Sequence, residues 1–155
     1  MSNIPDHWEV RRLAGALGAE VHGPDIGNAS LEDIEAIKSI LLEHMVIFLP
    51  DQSPTVDAHI SFGRHFGDLE GHPNLSSDTR FPPEIFQLQA SKGGVADEWH
   101  TDLTFQEQPA LMSILHMIKC PDTGGDTLWT SLYAAYDELS DPMKSMCDGL
   151  TALHD

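Results

Sequence analysis

Residues 30–50 constrain the fold more than any other stretch, because they place a helix and a strand back to back. Ser30-Leu31-Glu32-Asp33 has the form of a capping box, with Asp33 standing in for the usual glutamate at the third helical position. Leu31, Ile34, Ile37, Ile40 and Leu41 then recur at helical spacing, which predicts an amphipathic helix over 31–43 packed on the core. Met45-Val46-Ile47-Phe48-Leu49 is a continuous apolar run ended by Pro50, the pattern of a buried strand. A chain holding both is of mixed α and β class.

The flanking sequence repeats the mixture. Trp8 to His22 reads as two short strands around Gly15 and Gly18, and Gly23 to Asn28 as a turn. Ser53 as N-cap and Pro54 in the first turn open a second helix, which runs to about Phe66 and stops at Gly67. Residues 70–83 read as a long loop, Ile85–Gln89 as a short strand, and Ser91–Asp97 as a loop leading into a strand around His100. Leu111–Lys119 and Thr127–Trp129 read as strands joined by the turn Pro121–Asp126, before two helices over 131–139 and 141–149. The last helix has Ser140 as cap and Pro142 in its first turn. With no repeat, low-complexity tract or linker, a single domain over 1–155 is expected.

Charge narrows the partners. Eight basic and 25 acidic residues give a formal charge of −17, which repels nucleic acid and anionic membrane. No run of about 18 apolar residues is present, so no membrane span is expected. Two cysteines, Cys120 and Cys147, without a close pair fit free thiols and a cytoplasmic setting better than a disulfide scaffold.

Glu98-Trp99-His100-Thr101-Asp102 carries the chemistry. On a strand, side chains at i and i+2 share a face, so His100 and Asp102 are placed to converge on one metal ion. An imidazole and a carboxylate are two-thirds of the facial triad that binds non-haem Fe(II). Common coordination near 2 Å would bring the two side chains within about 3–4 Å of each other. His-x-Asp also arises by chance, and a His and an Asp at a loop edge is the competing reading of the tripeptide alone. Trp99 and Trp129 read as packing residues, His116 as a buried histidine in an apolar strand, and His44, His59 and His65 as helix residues without a function.

Several segments, in order, match one family. They are Gly18-Ala19-Glu20-Val21, Val46-Ile47-Phe48-Leu49 with Asp51-Gln52, Phe66-Gly67 with His72-Pro73, Trp99-His100-Thr101-Asp102 with Thr104-Phe105, and Gly124-Gly125-Asp126-Thr127-Leu128-Trp129. Ala134-Ala135-Tyr136 and Leu150 to His154-Asp155 complete the set. The chain resembles the taurine dioxygenase family of Fe(II)/2-oxoglutarate-dependent oxygenases over nearly its whole length. The resemblance implies a double-stranded β-helix (jelly roll) with flanking helices, incomplete at the C-terminus. It implies Fe(II) held by His100 and Asp102, 2-oxoglutarate as cosubstrate with Thr127 at its carboxylate, and O2 as oxidant. It places His72 at the acidic group of the substrate and Leu103 and Phe105 along the substrate pocket.

The departures shape the expected function. The family's distal histidine ligand and its 2-oxoglutarate arginine lie further downstream than Asp155, and His154 does not match the distal ligand. Leu75 stands where taurine-type members carry a tyrosine, and Ala96 where they carry an asparagine, which points away from taurine itself. The expected activity is hydroxylation of a small organic acid, a sulfonate or carboxylate, with no nucleic acid or membrane partner. The rival reading is a non-catalytic fragment or interaction domain that needs a second chain, or a homo-oligomer, to complete the site.

Overall fold

The structure is a computed structural model that describes residues 4–71, 80–88 and 98–153. They fall into two compact units, one of residues 1–53 with 116–152, the other of 54–115 with 153–155.

In the first unit, β1 (Glu9–Arg12) pairs antiparallel with β2 (Ala19–His22), Val10 opposite Val21. Helix α1 (Leu31–His44) follows, and β3 (Ile47–Phe48) returns parallel to β2, with Ala19 opposite Ile47. A parallel return needs a crossover, and α1 supplies it. The capping box forms as the sequence predicts: Asp33 N donates to Ser30 Oγ at 3.1 Å and Ser30 N donates to Asp33 Oδ2 at 2.9 Å. Ile34, Ile37 and Ile40 are buried, together with Trp8, Ala19, Val21 and Ala36. Each such large side chain contributes roughly 1.5–3 kcal/mol through burial. Leu31, counted in the apolar stripe, is exposed in the first turn, whereas His44 is buried.

The run 45–49 is shorter and more exposed as a strand than its composition suggests. Only Ile47 and Phe48 pair, and Phe48 is exposed. The physical reason is position: among the described residues β3 is the edge of the sheet order β1-β2-β3. Phe48 meets Trp129 edge-to-face, ring centres 5.3 Å apart at 78°, so Trp129 is a packing residue. Gln52 staples the turn before α1 to the segment after β3. It accepts from Ile26 N at 3.0 Å and donates to the carbonyls of Pro24 at 2.9 Å and Pro50 at 3.0 Å. Helices α3 (Leu132–Asp137) and α4 (Asp141–Cys147) complete this unit, α3 capped by the Ser131 hydroxyl. Ser140 occupies the N-cap of α4 without a side-chain bond.

In the second unit, α2 (Val56–Arg64) begins later than Ser53. Thr55 is the cap, its hydroxyl accepting from Ala58 N at 3.2 Å. Ile60 and Phe62 are buried, and Phe62 packs edge-to-face on Phe66.

The predicted strands at 85–89, around His100, at 111–119 and at 127–129 carry no ladder among the described residues. A strand is defined by its partner, and these segments find none there. Residues 111–117 still alternate between exposed and half-buried, the period-2 pattern of a strand. His116 is half-buried rather than buried, and Trp99 is exposed rather than packed. The described residues therefore form a mixed α and β fold with a small sheet, and show no closed jelly roll. No helix among them is long and apolar enough to cross a membrane.

Candidate metal centre

His100 carries no regular structure and Asp102 lies in a bend, so no strand ladder includes either residue. Leu103 adopts φ +56°, left-handed backbone that L-residues other than Asn and Asp seldom enter. Gln106 N donates to Leu103 O at 3.0 Å, and the hydroxyls of Thr101 and Thr104 bond one another. Just before this turn His100 Nε2 and Asp102 Oδ1 come to 3.5 Å.

The surrounding bonds give each atom its role. His100 Nδ1 lies 2.8 Å from the Glu98 carbonyl, which can only accept, so Nδ1–H is the donor. In the neutral ring Nε2 then bears a lone pair and faces the Asp102 carboxylate. Asp102 Oδ2 accepts from Ser113 Oγ at 2.9 Å. Two lone-pair donors facing one point suit a cation, and imidazole with carboxylate suits a divalent ion such as Fe(II). The side chains are 56% and 62% exposed, so the point between them is open to solvent. Among the described residues no third His, Cys, Asp or Glu joins them.

The other expected site residues are distributed. Leu103 is half-buried and Phe105 is exposed, both directly after the pair in the chain. Thr127 belongs to the first unit and is exposed, three residues after Gly124 and two after Gly125, which have φ +77° and +76°. His72, Leu75, Ala96 and His154 lie outside the described residues. Ser113, which bonds Asp102 among the described residues, is not singled out by sequence reasoning. It stands 11 positions from Asp102, and no local spacing rule connects them.

The family model described as taurine catabolism dioxygenase TauD, TfdA family matches residues 9–155. An alpha-ketoglutarate-dependent sulfate ester dioxygenase of Pseudomonas putida is 37% identical over 153 residues, covering 94% of this chain and 49% of the relative. An alkylsulfatase of Acinetobacter baylyi is 34% identical, covering 99% of this chain and 49% of the relative. The crystal structure of a taurine dioxygenase from Burkholderia xenovorans superposes with a TM-score of 0.77 at 34% identity, over 92% of this chain and 51% of that one. The chain spans about half the length of the curated relatives it matches.

Proposed function

The chain belongs to the TauD, TfdA family of 2-oxoglutarate-dependent dioxygenases, and from that premise we propose that it takes part in Fe(II)-dependent oxidation of a small organic anion. The substrate class proposed is a sulfate ester or sulfonate, with short carboxylates as the neighbouring class. One observation carries the reading: His100 Nε2 and Asp102 Oδ1 face each other at 3.5 Å inside the matched segment. Bound iron would couple decarboxylation of 2-oxoglutarate by O2 to oxidation of a substrate C–H bond.

The chain's own residues have separate tasks. His100 and Asp102 would hold the ion, with the His100 ring fixed through Glu98 O. The Thr127 hydroxyl would donate to a carboxylate of 2-oxoglutarate. His72 would contact the acidic group of the substrate, and Leu103 and Phe105 would line its apolar part. Segments 111–119 and 127–129 would be strands of a double-stranded β-helix. The alternating exposure of 111–117 and the likeness to the solved dioxygenase support that placement.

A second reading is a non-catalytic piece whose site is completed by another chain. It is favoured by the pair of ligands without a third among the described residues. Turnover separates the two. The protein is assayed for 2-oxoglutarate consumption with Fe(II), ascorbate and a panel of alkyl sulfates, sulfonates and short carboxylates. The expected result is substrate-stimulated consumption that is lost in His100→Ala and in Asp102→Ala. Equal consumption in wild type and both variants would be free-iron chemistry and would overturn the catalytic reading.

A further inference from the structure

Asp102 divides its carboxylate between two partners. Oδ1 faces His100 Nε2 at 3.5 Å, and Oδ2 accepts a 2.9 Å hydrogen bond from Ser113 Oγ. We propose that Ser113 is a positioning residue for the metal, holding Oδ2 so that Asp102 offers only Oδ1 to the ion. The inference rests on the reading of His100 and Asp102 as ligands.

The argument is one of rotation. The terminal torsion of an aspartate is broad and roughly two-fold, so an unheld carboxylate can present either oxygen or both. The Ser113 bond lies in the normal range for a hydroxyl on a carboxylate and removes that freedom. Chelation by both oxygens would require Oδ2 to turn toward the ion and break it. His100 is held in the same manner, its far nitrogen bonded to Glu98 O. Each prospective ligand thus has its distal atom anchored, an outer-shell arrangement that fixes ligand orientation. The bond also ties the turn at 101–106 to the alternating segment 111–117. Ser113 acts through Asp102.

The test is titration of the purified protein with Mn(II), followed by loss of the free-ion electron paramagnetic signal, and with Co(II), followed by its visible spectrum. Wild type is compared with Ser113→Ala, Ser113→Thr and Asp102→Ala, each checked for wild-type circular dichroism. Asp102→Ala is expected to lose site binding. Ser113→Ala is expected to weaken Mn(II) by about 10-fold, the scale of outer-shell losses, and to alter the Co(II) bands as the second oxygen enters. Ser113→Thr keeps the hydroxyl and should restore both. Wild-type affinity and spectrum in Ser113→Ala, with binding still lost in Asp102→Ala, would overturn the Ser113 role and leave the ligand reading intact. A threonine variant that behaves like alanine would assign the effect to packing and overturn it too. Unchanged binding in Asp102→Ala would remove the ligand reading, and the inference with it.

Discussion

His100 Nε2 stands 3.5 Å from Asp102 Oδ1 although no strand carries either residue. If one ion lies between them, their contributions are not independent. Alanine at either position should weaken Co(II) binding strongly, and the double variant should be little worse than the weaker single one. A double-mutant cycle measured by calorimetry checks this; simple addition of the two losses would mean that the residues do not share an ion.

Gly23 permits the close approach of β2's end to Trp8. It has φ +117°, and a Cβ there would stand 2.5 Å from Trp8 Cδ1. Gly23→Ala meets backbone strain and overpacking together, so about 3 kcal/mol or more of stability should be lost. Urea unfolding measures it, and a loss under about 1 kcal/mol would show that the Trp8 ring shifts without difficulty.

Gln52→Ala removes three hydrogen bonds that hold Pro24, Ile26 and Pro50 together. The partners are partly buried, so the expected destabilisation is about 1–3 kcal/mol. Denaturant midpoints are the readout. Gln52→Glu should also be destabilised, because a carboxylate cannot donate to the two carbonyls.

Tyr136 donates to Asp148 Oδ1 at 2.9 Å, linking α3 to the end of α4. That bond, with smaller effects of desolvation and of negative charge at Asp148, Cys147 and Asp137, raises the phenol above its ordinary value near 10. A raised folded-state value means that the contribution to stability is full below the unfolded pKa, and fades as pH climbs through the folded one. Phenolate absorbance should therefore show a late-titrating component that disappears in Tyr136→Phe and moves earlier in Asp148→Asn. An unchanged titration in Asp148→Asn would sink this assignment.

The features that local interactions determine were legible in the sequence. The Ser30–Asp33 box needs only residues three apart, and it forms with both bonds. Helix α1 and the β1–β2 hairpin follow from spacing and turn residues, and family membership follows from the ordered motifs. The start of α2 shows the limit of such rules, because Ser53 and Thr55 both qualify as caps and only the hydroxyl bonded to Ala58 N decides.

What tertiary structure decided involves partners far apart in the chain. Residues 111–119 have the composition of a strand, but a ladder needs a second chain segment, and none pairs with them among the described residues. Gln52 reaches back 26 positions to Ile26, and Ser113 reaches 11 positions to Asp102, distances that no periodicity encodes. The i, i+2 spacing names the candidate metal pair, and the pair stands 3.5 Å apart without a strand ladder at either residue. Sequence supplies the donor chemistry of His100 and Asp102. Their separation, and which oxygen of Asp102 faces the ring, are set by the folded backbone and by the Ser113 hydroxyl that it brings alongside.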